Sequence, residues 1–211
     1  MKNYNYTQRW FSCSDLKQFL PVGTQDELHI LEIGSFEGES TVWFIENFLN
    51  NQNSTITCID PWISYNQKKD SLNSYGNILQ KDLQDLSEGY IFSNENETFL
   101  KNIIETGKLS QTNIIKGFSN IVLPNLISIQ KKYNIIYIDG NHTSPAVLSD
   151  AVMSWWLLDN EGIMIFDDYK WGEGKKETLK PKMAIDNFIN NYKDYLEVCW
   201  RGYRVAIKKI K

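Results

Sequence analysis

Residues 28–41 read LHILEIGSFEGEST. The first six, 28–33, form a short apolar run that stops at a glycine, the pattern of a strand buried on both faces. Residues 39–49 follow with Val42, Ile45 and Leu49 at helical spacing. Between the two, Gly34 permits a tight turn and Gly38 lets backbone come close to a bound group. A strand, a glycine turn and a helix are the opening half of a strand–helix–strand unit.

The same rhythm repeats outward from this unit. Apolar runs at 55–59, 113–116, 133–138 and 162–166 read as strands, ended by Asp60-Pro61, Gly117, Asp139-Gly140 and Asp167-Asp168. Amphipathic segments at 121–129, 146–158 and 182–192 read as helices. Residues 196–200 and 203–207 read as a closing antiparallel pair around Arg201-Gly202. Strands alternating with helices imply parallel pairing through right-handed crossovers. The expected product is one doubly wound, three-layer α/β domain over 1–211, with an antiparallel edge. Residues 64–97 break the rhythm, being rich in Asn, Gln, Ser, Lys and Asp. The segment is too long for an ordinary connection, and reads either as a functional lid or helical insertion or as a surface excursion.

Composition narrows the class. Of 211 residues 42% are hydrophobic, with 7 Trp, 11 Tyr and 10 Phe, which supports a packed globular chain and excludes a disordered one. The net charge is −4 and there is no basic stripe, so a nucleic acid is not the expected partner. No apolar run approaches a membrane span, and the N-terminus lacks the apolar core of a signal segment. Three scattered cysteines, Cys13, Cys58 and Cys199, suit neither a disulfide framework nor a zinc site. These features point to a reduced, cytoplasmic protein.

In open α/β sheets ligands bind outside the carboxyl ends of the strands. The glycine loop lies there, with Glu32, Gly34, Ser35, Gly38, Ser40 and Thr41 around it, and the following helix turns its amide-rich N-terminus toward an anionic group. Asp60 ends the next strand, where a carboxylate can hold both hydroxyls of a ribose. A dinucleotide would need a third glycine to approach its pyrophosphate, and the pattern here is G-x-x-x-G. S-adenosylmethionine (SAM) has no phosphate. Its carboxylate suits the helix N-terminus, and its cationic ammonium and sulfonium suit Glu32 and Glu37. Trp62, Phe118 and Ser119 are candidates to flank the adenine, against readings as packing residues and a helix cap.

A second group gathers at the later strand ends, in Asp139-Gly140-Asn141-His142 and Asp167-Asp168-Tyr169. Three carboxylates converging in a cleft repel one another, and a divalent cation relieves that cost. Oxygen ligands favour Mg²⁺, Mn²⁺ or Ca²⁺ over zinc. Asp139, Asp167 and Asp168 are the candidate ligands, and His142 is the candidate general base for a hydroxyl acceptor. Tyr169, Lys170, Trp171 and the loop to Gly174 follow as a substrate wall or an exposed turn.

These motifs carry a resemblance. LEIGSFEGEST resembles the first SAM motif of class I methyltransferases, CIDPW their ribose-binding motif, and residues 137–169, from YIDGNH to FDDY, resemble the methyltransferase-24 family. Metal-dependent sugar O-methyltransferases of macrolide biosynthesis and cephalosporin-hydroxylase-like proteins share this pattern. The resemblance implies a Rossmann-like sheet in the order 3-2-1-4-5-7-6 with strand 7 antiparallel. It implies Mg²⁺ at Asp139, Asp167 and Asp168, His142 as base, and a small hydroxylated acceptor, a sugar before a catechol-like metabolite. A homo-oligomer is compatible with it. Two other readings compete. One is a nicotinamide oxidoreductase, for which Tyr65 and Lys69 offer a Tyr-x-x-x-Lys pair. The other is a non-catalytic SAM-fold binding protein.

Overall fold

The computed structural model describes residues 2–62 and 95–210. Most of the polar segment 64–97 lies outside the described residues, as does the Tyr65–Lys69 pair. Among the described residues seven strands form one sheet in the order β3-β2-β1-β4-β5-β7-β6. The strands are β1 (His29–Ile33), β2 (Thr55–Asp60), β3 (Thr112–Lys116), β4 (Tyr133–Ile138), β5 (Leu158–Phe166), β6 (Leu196–Arg201) and β7 (Val205–Lys209). Pairings among β1 to β5 are parallel, while β7 runs antiparallel to both β5 and β6. The sheet order is the one that the methyltransferase resemblance implies.

Two helical layers cover the sheet, and the strands' period of two divides their side chains between them. Ile30, Ile56, Cys58, Ile135 and Tyr137 pack against α1 (Glu39–Phe48) and α2 (Glu95–Thr106). Leu31, Ile33, Ile136, Ile138 and Phe166 pack against α3 (Ser119–Ser128), α4 (Ser144–Leu157) and α5 (Pro181–Tyr192). Among the described residues no helix is long and apolar enough to cross a membrane.

Three elements differ from the sequence reading. Helix α2 has no counterpart in it. Its buried residues, Glu95, Phe99, Asn102, Ile103 and Thr106, keep helical spacing, but three of the five are polar and the apolar signal is thin. Strand β5 starts at Leu158, four residues before the apolar run, because Leu158 pairs with Tyr133 ahead of a register irregularity. The polar Asp159-Asn160-Glu161 step masks this start. Strand β7 lies two residues further on than 203–207. Its Lys209 is buried, and the ammonium donates to the carbonyls of Trp155 at 3.1 Å and Leu158 at 3.0 Å.

Candidate active site

The strand registers bring the sequence-derived residues to one rim. Ile33 is level with both Ile59 and Ile138, and Ile138 is level with Phe166. Gly34, Asp60, Asp139 and Asp167 are the next residues of the four strands, so they emerge side by side. Backbone bonds keep the ends closed: Gly34 N–H donates to Ile59 O at 2.8 Å, Asp139 N–H to Ile33 O at 2.8 Å, and Asp167 N–H to Ile138 O at 3.0 Å. At Gly34, with φ 88°, a Cβ would lie 2.1 Å from the Asp139 carbonyl oxygen. Only glycine lets the first loop pass this close to the acid-bearing loop.

The glycine loop is held from beneath. Glu32 is fully buried, and its carboxylate accepts from Ser35 Oγ at 2.7 Å, from Ser40 Oγ at 2.6 Å and from Thr41 Oγ1. Burial raises its pKa, against the pull of those three hydroxyls. These four candidates therefore bind one another and brace the loop. Asp60 braces it from the side. Its Oδ2 accepts the amides of Ser35 and Phe36, each at 3.0 Å, and its Oδ1 accepts the Trp62 amide at 2.7 Å. The Trp62 indole is buried, donates to Phe36 O at 2.7 Å and packs 4.9 Å from the Phe99 ring. Glu37 is also occupied: its two oxygens accept the Thr7 amide at 2.6 Å and the Thr7 hydroxyl at 2.8 Å.

Ser119 opens α3, and its hydroxyl bonds Asp150 of α4. Burial pushes the Asp150 carboxyl up to about 6, with Ser119 opposing. The raised folded-state value means that ionisation costs stability, so stability falls as pH rises from about 4 to about 6. Asp150→Asn removes that cost. It is expected to raise stability at pH 8 by on the order of 2–3 kcal/mol and to leave it unchanged near pH 4, as measured by denaturant unfolding at the two pH values.

Asp139, His142 and Asp168 form the chemical cluster. One ligand atom from each lies within 4.8 Å of the others. His142 Nε2 is 2.8 Å from Asp168 Oδ2 and 3.8 Å from Asp139 Oδ1. Burial and the nearby Asp167 charge push Asp139 up to about 8. Burial disfavours the His142 imidazolium, but hydrogen bonds to Asp139 and Asp168 outweigh it and carry His142 up to about 10. Asp168 is lowered, because contact with His142 overcomes its burial. Asp168 also has φ 57°, a left-handed conformation that Asp tolerates better than most residues. The Trp171 ring sits 4.7 Å from the His142 ring.

Asp167 is beside this cluster but not in it. Its carboxylate pairs with Arg204 Nη2 at 2.8 Å, accepts the Tyr137 hydroxyl and accepts the Asp168 amide at 2.7 Å. The sequence reading grouped Asp167 with the other acids, and the structure gives its place in the cluster to His142. Arg204, Tyr137 and Tyr203, whose hydroxyl donates to Asp168 Oδ1 at 2.7 Å, were not singled out from sequence. One signal was available: Arg204 is a lone charge entering the apolar run Val205-Ala206-Ile207.

A seven-stranded sheet in this order, with a glycine loop and an acidic pair along one rim, is the architecture of a class I methyltransferase. The family model described as a methyltransferase domain, methyltransferase-24, matches residues 31–169. The chain belongs to that family. The O-methyltransferase from Bacillus cereus, solved in complex with SAH, superposes with a TM-score of 0.59 at 13% identity, over 87% of this chain and 74% of that one. The O-methyltransferase TomG from Streptomyces achromogenes, solved with SAM, gives 0.57 at 15%, over 89% and 75%. The O-methyltransferase NovP gives 0.67 at 14%, over 87% and 72%. At these identities the likeness is one of fold. No curated protein matches the chain by sequence.

Proposed function

We propose that the protein transfers a methyl group from SAM to a hydroxyl oxygen of a small acceptor, a sugar by preference, with a divalent cation at Asp139 and Asp168. The observation that carries this reading is the close approach of Gly34 to Asp139, which sets the glycine loop directly beside the acid-bearing loop. SAM supplies a methyl group on a positively charged sulfur. The loop, braced by Asp60 and Glu32, would hold it with the α1 N-terminus facing the carboxylate.

The cluster fits a cation. The Asp139 and Asp168 carboxylates present oxygens within 4.8 Å of each other with His142 beside them, so the two acids would hold the ion and leave the imidazole unligated, and the raised Asp139 marks negative charge in need of compensation. Carboxylates favour Mg²⁺, Mn²⁺ or Ca²⁺. Such an ion polarises a hydroxyl and lowers its pKa. With Asp139 and Asp168 holding such an ion, His142 would lose the contacts that keep it protonated. Its Nε2 can then take the proton of the acceptor hydroxyl. Asp167 serves this scheme by fixing the Asp168 amide. The free cysteines Cys13, Cys58 and Cys199 suit a reducing compartment such as the cytoplasm.

Two measurements test the reading. Transfer of labelled methyl from SAM to a panel of sugars and catechols is expected with Mg²⁺ or Mn²⁺, and to fall at least about 100-fold in EDTA. Absence of SAM binding by calorimetry would overturn the donor assignment, and full turnover in EDTA would overturn the metal assignment. Asp60→Ala removes the acceptor of two glycine-loop amides and of the Trp62 amide, and is expected to weaken SAM binding by about tenfold or more. An unchanged Kd would show that the loop does not need Asp60.

A further inference from the structure

The N-terminal segment crosses the glycine loop and ends on the acid side of the rim. Thr7 satisfies both oxygens of Glu37. The Trp10 indole stacks on Phe36 with ring centroids 5.3 Å apart and planes 24° from parallel. The Phe11 amide donates to Glu39 at 3.2 Å. At the far end, Arg204 Nη1 donates to the Ser12 carbonyl at 2.7 Å and to Asp15 Oδ1 at 2.9 Å. The same guanidinium pairs with Asp167 through Nη2 and lies over the Phe11 ring, 5.4 Å from its centroid. Arg204 is only 4% exposed.

The loop needs this outside support. Phe36 has φ 46°, between two glycines at 88° and 86°. A non-glycine residue there is strained and persists only where neighbours hold it. Trp10 is one such neighbour, and Trp10 is placed by a segment whose other end rests on Arg204.

We propose that Arg204 is a positioning residue for the donor loop, acting at a distance through the segment from Thr7 to Asp15. The proposal rests on the SAM reading above. It assigns donor affinity partly to a side chain on the opposite side of the cleft, and makes the orientation of Asp167 and the seating of the loop two effects of one arginine.

The test is calorimetric binding of SAH to the full chain. Trp10→Ala removes the segment's stacking contact with Phe36 and leaves the Thr7–Glu37 bonds in place. Asp15→Ala weakens the segment's Arg204 end, removing the charged partner of Nη1 but not the Ser12 carbonyl, while leaving the Arg204–Asp167 pair in place. Each is expected to weaken SAH by about 5–20-fold, and the double variant to be no weaker than the worse single one, because both act through one element. Amide exchange over residues 7–15 and 34–38 is expected to rise in Asp15→Ala. Arg204→Lys is expected to keep more affinity than Arg204→Met. If Arg204→Met does not fold, the Asp15→Ala and Trp10→Ala cycle decides. Single variants within about twofold of the parent, or a double variant with the full product of the two losses, would overturn the proposal. Failure of the parent to bind SAH would instead remove the methyltransferase donor reading on which it stands.

Discussion

Asp168→Ala is expected to lower methyl transfer by about 10³-fold, or about 4 kcal/mol of transition-state stabilisation, while SAH affinity stays within about threefold. Asp168 contacts His142 at 2.8 Å and the Tyr203 hydroxyl at 2.7 Å, and it supplies one of the three donor atoms of the cluster. Its loss removes a charge from the cation site and the main partner of the imidazole. The glycine loop and Asp60 are untouched, so donor binding should survive. Asp168→Asn keeps a residue suited to φ 57° but not the charge, and should lose turnover nearly as fully. Steady-state kinetics at saturating SAM and calorimetry with SAH separate the two quantities. Normal turnover in either variant would remove Asp168 from the chemistry.

The second large effect is expected at Gly34→Ala. The new methyl would meet the Asp139 carbonyl oxygen at 2.1 Å and the Gly140 Cα at 2.8 Å. Both are backbone atoms, so the strand ends themselves would have to separate. The left-handed conformation adds about 1–2 kcal/mol and the overpacking about 1–3 kcal/mol, for a destabilisation of about 2–5 kcal/mol. For a domain of this size that is a fall in Tm of about 5–15 °C. Donor binding and turnover should fall together, because the clash joins the two halves of the cleft. Gly38→Ala offers the contrast. It shares the left-handed strain, but its methyl would meet side chains and no backbone, the Phe99 ring edge at 3.0 Å and Ile103 Cδ1 at 3.8 Å. An undisturbed melting curve for Gly34→Ala would show that the rim is looser than the close approach implies.

The parallel strands were legible because each is an apolar run ended by a turn or acidic residue, and β4 begins and ends where its run does. Once the strands are placed, register alone carries Gly34, Asp60 and Asp139 to one edge. Three features were less legible for physical reasons. Successive residues of a strand point to opposite faces, so Asp167 and Asp168 could not both be assigned to one cluster from adjacency alone. Asp167 goes to Arg204, which arrives from a strand near the other end of the chain. The acid Glu32 looks the same in sequence whether it meets a ligand or three hydroxyls of its own loop. The crossing segment has no periodicity to read. It is held by side-chain bonds to Glu37, which in sequence suits the cationic groups of SAM, and to Glu39, Glu46 and Asn102, which look like solvated surface residues of their own helices.

The Arg204 contacts with Ser12 and Asp15 span 192 and 189 residues of chain. Closing so long a loop before the sheet exists is costly, whereas the β1–β4–β5–β7 pairings bring both ends near once formed. These contacts should therefore form after the main folding barrier. Weakening them, as in Asp15→Ala, should leave the refolding rate almost unchanged and show itself in faster unfolding. The kinetic lifetime of the native state is thus tied to a few residues at the beginning of the chain, well apart from the strands that decide whether it folds at all.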